Sequence, residues 1–171
     1  NIRSRPKLSN NNRRNIYRIN STRILNLISV SIRYCKILNS NKLLFQTPST
    51  FKATDGNKKN IRDFFGSIDR GGLFILFEPR GWGEDDVREI CEELGFYHVV
   101  DISEGKKPVT HGFYYFRIHG GKGYKHSYTD EELKNMVSII KELDGDAYVL
   151  FNNISMFNDA KRFKEYLKAL E

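Results

Sequence analysis

The chain has 171 residues, 39% of them hydrophobic and 13% aromatic, enough for one domain with a buried core. No window approaches the roughly 18 uncharged apolar residues of a membrane span, and the longest N-terminal apolar stretch, Ile24 to Ile32, is broken by Asn26, Ser29 and Ser31, which excludes a signal-peptide layout. The net charge of +7 is unevenly held: residues 1–54 carry 11 of the 28 Lys and Arg and no acid, leaving 17 basic and 21 acidic side chains, a balance of −4, for residues 55–171. A uniformly basic domain that coats nucleic acid is thereby excluded.

Residues 1–22, rich in Asn, Arg and Ser, have no apolar period; a basic, loosely packed N-terminal segment over residues 1–32 is expected. The chain opens on Asn rather than Met, which fits a missing N-terminal portion. From Ser21 a helix is expected, because Ile24, Leu25, Ile28, Ile32, Cys35 and Leu38 recur every three or four residues. Leu43-Leu44-Phe45-Gln46-Thr47 reads as a strand closed by Pro48. A short helix with Ile61, Phe64, Phe65 and Ile68 on one face follows, ended by Gly71-Gly72.

Leu73-Phe74-Ile75-Leu76-Phe77 is continuously apolar, the pattern of a strand buried on both faces of a parallel sheet. It runs into Glu78-Pro79-Arg80-Gly81-Trp82-Gly83, after which Glu84, Asp85 and Asp86 load the first turn of a helix capped by Gly95. Phe96 to Ile102 reads as the next strand, with Asp101 near its end. Only residues 103–112 separate it from Phe113-Tyr114-Tyr115-Phe116-Arg117-Ile118-His119-Gly120, slightly short for a helical crossover; an antiparallel pair and a loop in place of the helix both fit. Thr129-Asp130-Glu131-Glu132 is a capping box opening a helix. Ala147 to Phe151 is the last strand, ending in Asn152-Asn153, and a helix over about 158–170 closes the chain. Five strands alternating with helices predict an α/β fold with a mainly parallel sheet.

Gln46, Glu78, Arg80, Asp101, Arg117, His119, Asn152 and Asn153 all fall at strand ends, and parallel, adjacent strands would bring them to one face. One reading makes them a salt-bridge network that plugs the strand ends. The functional reading has Arg117 and Arg80 gripping an anion, with Glu78, Asp101 and His119 as the catalytic acid–base candidates. Gln46, Trp82, Asn152 and Asn153 complete the ligand-binding candidates, Trp82 with Tyr124 and Tyr128 as an aromatic wall. A divalent metal on Glu78, Asp101 and His119 is compatible with oxygen and imidazole donors. His119-Gly120-Gly121-Lys122-Gly123 does not match the G-x-x-x-x-G-K-[ST] phosphate loop.

Five short motifs occur in a recognisable order: Leu43-Leu44-Phe45-Gln46-Thr47-Pro48, Phe77-Glu78-Pro79-Arg80-Gly81-Trp82, Tyr115-Phe116-Arg117-Ile118-His119-Gly120, Tyr128-Thr129-Asp130-Glu131-Glu132-Leu133 and Tyr148-Val149-Leu150-Phe151-Asn152-Asn153. Over residues 33–171 the chain thereby resembles the C-terminal part of the family catalogued as domain of unknown function seventy-two, whose members look like TIM-type barrels with no established activity. The histidine of that family's E-F-R-H-P-S-W motif has no counterpart here, and neither has its first half. The resemblance implies an incomplete (β/α) barrel of about five strands over residues 33–171. The expected function is binding of a small anionic or sugar-like ligand at the strand ends. Two alternatives stand beside it: a nucleic-acid-binding or metal-dependent nuclease-like protein using residues 1–54, and a non-functional gene fragment. Self-association through exposed sheet edges is expected, a membrane role is not, and two cysteines without a CxxC spacing, Cys35 and Cys91, point to buried thiols and the cytoplasm.

Overall fold

The computed structural model describes residues 22–121 and 123–169. The segment 1–21, Lys122 and the expected burial of Leu170 lie outside them. The described residues divide into two compact units, one made of 22–41 together with Ala53–Leu73, the other of Lys42–Lys52 and the described residues from Phe74 on.

The first unit carries helix α1, Thr22–Ile37, and helix α2, Asp55–Gly66. The expected start of the barrel domain, residue 33, falls within α1. In α2 Thr54 is the N-cap, its hydroxyl accepting from Asn57 N–H at 3.2 Å. The helix ends at Ser67 rather than at the expected Gly71-Gly72: the Ser67 hydroxyl donates to the Phe64 carbonyl at 2.7 Å and its N–H reaches back to Asp63 and Phe64. Local side-chain bonding to the last turn therefore stops the helix before the glycines do.

The second unit is built on five parallel strands in the order β1 (Lys42–Thr47), β2 (Phe74–Pro79), β3 (Phe96–Val100), β4 (Phe113–Ile118) and β5 (Asp146–Phe151). Between them lie α3 (Glu84–Leu94), a 3-10 turn (Ile102–Glu104) and α4 (Asp130–Lys141), and α5 (Met156–Lys168) follows β5. The α/β reading holds, and the sheet is not closed into a barrel. The question left open between β3 and β4 resolves as parallel, Val99 pairing with Tyr115, so one 3-10 turn and a loop stand where a helix normally makes the crossover.

The caps legible in the sequence form as written. Gly95 ends α3 at φ 65°, a left-handed conformation suited to glycine. Thr129 and Glu132 exchange reciprocal bonds at the start of α4. Neither cysteine is in a disulfide and both are buried; burial with the nearby Glu92 pushes the Cys91 thiol up to about 12, so it is inert at neutral pH.

Parallel register sorts the strand residues into two faces. One face, with Ile75, Phe77, Phe96, Val100, Tyr114, Phe116, Ile118 and Phe151, is buried. There Phe116, Ile118, Phe151 and Tyr114 share a core with Leu133, Met136 and Val137 of α4 and Phe163 of α5. On the other face Lys42 gathers the rings of Phe74, Phe113 and Tyr148 at one end. Leu44, Leu76, Val99, Tyr115 and Leu150 follow, and Arg117 gathers Gln46, Glu78 and Asn152 at the C-terminal end. These groups run aslant the paired positions, since Phe113 pairs with Asp146 and Arg117 with Leu150.

Candidate functional site

The polar layer at the strand ends is organised by Arg117. Its Nη1 donates to Gln46 Oε1 at 2.9 Å and, in a shorter contact, to Glu78 Oε2. With the Asn152 amide oxygen turned toward it, that oxygen accepts from Nη2 at 3.3 Å and Nε at 3.2 Å. Four strands thus contribute one side chain each: the register pairs Gln46 with Glu78, whereas Asn152 meets Arg117 from two residues beyond Leu150, its register partner. The guanidinium, 20% exposed, is engaged along both of its edges.

Glu78 is shared. Its Oε1 accepts from Arg80 Nε at 3.2 Å and Nη2 at 3.1 Å, while Oε2 serves Arg117. Two cations on one carboxylate leave the cluster with a net positive charge. Arg80 is 47% exposed, and its Nη1 has no partner among the described residues. His119 Nε2 lies 3.5 Å from Arg80 Nη2 and 3.6 Å from Glu78 Oε1, between a donor and an acceptor, so the ring tautomer decides which it engages.

Asp101 sits beneath this group and touches it through the backbone. Its Oδ2 accepts from His119 N–H at 2.7 Å, and its Oδ1 from the Ser103 N–H at 2.9 Å and hydroxyl at 2.6 Å. The Ser103 oxygen in turn accepts from Tyr128 O–H at 2.9 Å, and the Tyr128 oxygen from Gly120 N–H at 2.8 Å. A relay of hydrogen bonds therefore holds His119 and Gly120 in place from below. Gly120 is at φ 100°, and a Cβ there would collide with the Gly123 carbonyl, so the loop requires glycine. Burial raises the Tyr128 hydroxyl above its ordinary pKa, keeping it a donor to Ser103.

Beside the cluster opens a cleft of about 500 Å³, lined by Glu78, Arg80, Trp82, His98, Asp101, Glu104, Lys106, Lys107 and His119. Trp82 is fixed by donating Nε1–H to the Phe51 carbonyl at 2.5 Å, by stacking on Phe51 and by an edge contact with Phe77. His98, buried, accepts the Val109 N–H on Nδ1 at 3.2 Å, so its proton is on Nε2. Burial, reinforced by Lys106 and Arg88, lowers its pKa from 6.5 to about 4, and the ring is neutral at physiological pH.

Of the residues singled out in the sequence, Glu78, Arg80, Trp82, Asp101 and His119 line this cleft, and Gln46, Arg117 and Asn152 lie behind Glu78 on the inner face. Asn153 goes elsewhere: its Nδ2 donates to the His126 carbonyl at 2.8 Å and to Asp159 Oδ2 at 2.7 Å. The aromatic wall is not assembled, since Tyr124 is 58% exposed and Tyr128 is a buried member of the relay. Among the described residues no three His, Cys, Asp or Glu side chains are grouped to hold a metal ion. Sequence reasoning passed over His98, hidden in an apolar strand, and Lys106 and Lys107, read as part of a loop. The D-x-S spacing of Asp101 and Ser103 was the available sign that this carboxylate caps a turn.

Fold and site together define an α/β protein with a polar cluster at the C-terminal ends of parallel strands. The model of the family described as "Protein of unknown function DUF72" matches residues 38–171, and the chain belongs to that family. Comparison with curated proteins finds no match. Among solved structures, a DUF72 family protein from Thermotoga maritima superposes with a TM-score of 0.65 at 22% identity, covering 83% of this chain and 64% of that one. A DUF72 family protein from Enterococcus faecalis V583 gives 0.59 at 19% identity, covering 74% of this chain and 58% of that one. The chain therefore spans less than two thirds of the length of either relative, and these likenesses speak for the fold. No helix among the described residues is long and apolar enough to cross a membrane.

Proposed function

We propose that the cleft beside the strand-end cluster binds a small anionic or sugar-like ligand, with Arg80 as the residue that grips it. The observation that carries this reading is the inequality of the two arginines: Arg117 is engaged on both edges, whereas Arg80 offers Nη1 beside a cleft that also holds Lys106 and Lys107. Glu78 orients Arg80, and the ring of Trp82, held flat against Phe51, offers an apolar wall to a sugar face. His119, held by Asp101 through its backbone, is placed to donate to or accept from a ligand hydroxyl or phosphate oxygen.

The test is calorimetric titration with inorganic phosphate, a hexose phosphate and the corresponding neutral hexose. A hexose phosphate should bind at least tenfold more tightly than the neutral sugar. Arg80→Ala should abolish that preference while the circular dichroism spectrum stays unchanged. Equal affinity of native protein and Arg80→Ala for all three would remove the proposal.

A further inference from the structure

The crossover from β3 to β4 is a 3-10 turn followed by a loop, and that loop fixes His98. His98 lies on the same side of β3 as Phe96 and Val100, the buried face. Its backbone N–H donates to Thr110 Oγ1 at 3.1 Å, and the Val109 N–H donates to its Nδ1 at 3.2 Å. Val109 is held in turn from α3, where Arg88 Nη1 donates to its carbonyl at 3.2 Å. Two bonds from one loop thus set the ring's position and rotation, and they leave the ring proton on Nε2.

That Nε2–H has no partner among the described residues. Nor is it sealed in the core: the unpartnered side-chain atoms shut off from solvent among these residues are Thr47 Oγ1 and Asn153 Oδ1. His98 is 9% exposed and lines the cleft, so its open surface is there, among Val87, Val99 and Val100. A buried N–H without an acceptor costs free energy that a ligand oxygen recovers, and apolar surroundings strengthen the bond it then makes. Burial, with Lys106 and Arg88, keeps the ring neutral, and Nδ1 is already spent. At the cleft, His98 therefore donates and cannot accept.

We propose that His98 is a specificity-determining residue of this cleft, donating Nε2–H to an uncharged acceptor oxygen, a carbonyl or hydroxyl, of a ligand whose anionic group is held by Arg80. The inference rests on the reading of Arg80 as the anion-gripping residue and adds a second, neutral contact deeper in the same cleft. The ligand class it selects is a small sugar phosphate over a bare anion. A ligand that brings an ammonium group to this point is rejected, because donor then faces donor.

The test follows the His98 imidazole by heteronuclear NMR of histidine-labelled native protein, with affinities from calorimetry. Saturating hexose phosphate should move the Nε2–H proton downfield and slow its exchange with water, whereas inorganic phosphate should leave it in place. His98→Phe should weaken hexose phosphate about tenfold more than inorganic phosphate, the worth of one neutral hydrogen bond. Because the NMR signal is read on the native chain, a folding failure of His98→Phe does not blunt the test. An unmoved His98 signal in a complex that Arg80→Ala abolishes overturns the inference and leaves the reading of Arg80 standing. A signal that moves equally with inorganic phosphate also overturns it, by putting the anion rather than a neutral oxygen at His98. Absence of hexose phosphate binding to the native protein removes both.

Discussion

Asn152 and Asn153 are neighbours in sequence and belong to different systems. Asn152 turns to the inner face and meets Arg117 behind Glu78. Asn153, fully buried, turns the other way into a network in which Asp159 accepts from Asn153, from Tyr128 N–H at 3.2 Å and from Arg162 at 3.1 Å, while Arg162 also donates to the Tyr128 carbonyl at 2.8 Å and pairs with Asp130. The second network ties the loop before α4 to α5, and its central carboxylate, 1% exposed, is matched on both oxygens. The strand-end cluster has a comparable set of charges but leaves one guanidinium nitrogen open beside a cleft. Asn153 Oδ1 also has no partner among the described residues, but it is fully buried. Polar residues at the end of one strand thus separate into a fastening and a site, and what distinguishes them is whether the open group reaches a cleft.

The sharpest way to break that distinction is Arg162→Ala. It strands the buried Asp159 carboxylate, and denaturant unfolding should show a loss of about 3–5 kcal/mol, with ligand affinity of the remaining folded protein unchanged. The next effect is a pH dependence. The unfolded chain protonates His98 near 6.5 and the folded chain only near 4, so the unfolded state binds more protons between these values. Stability is therefore full above 6.5 and falls as pH drops toward 4, by at most about 3 kcal/mol. His98→Gln should flatten the slope in urea titrations repeated at several pH values. Tyr128→Phe removes the link between Gly120 and Ser103 and should cost about 1–2 kcal/mol, with a weaker ligand affinity because His119 loses its support. Arg80→Ala, at a half-exposed pair, should change stability by less than about 1 kcal/mol while removing anion preference.

Much of this arrangement is legible in the residues. Apolar runs ending in Glu78, Arg117 and Asn152 gave the strands and, because the strands are parallel, the end of the sheet where these residues gather, though not the stagger between them, which pairs Arg117 with Leu150. The T-x-x-E box and Gly95 gave their helix boundaries for reasons confined to a few neighbouring residues. What could not be read was direction. Alternation assigns Asn152 and Asn153 to opposite sides, but which side faces the cleft depends on the packing of α4 and α5. The roles of Asp101 and the two arginines were hidden for the same reason: how many donors and acceptors each spends depends on Ser103, Gln46 and Asn152, 2 to 71 residues away in sequence.

The central claim, that the strand-end cluster is a site rather than a plug, is tested most directly by the double variant Glu78→Gln with Arg117→Ala, measured for unfolding free energy and for hexose phosphate affinity on the same sample. Replacing both members of a largely buried pair leaves no uncompensated buried charge, since Arg80, which loses its carboxylate, is 47% exposed. A site gives stability within about 1 kcal/mol of the native protein and a loss of affinity of at least tenfold, as Arg80 loses the carboxylate that orients it. A loss of several kcal/mol with affinity intact would contradict it and make the cluster a plug.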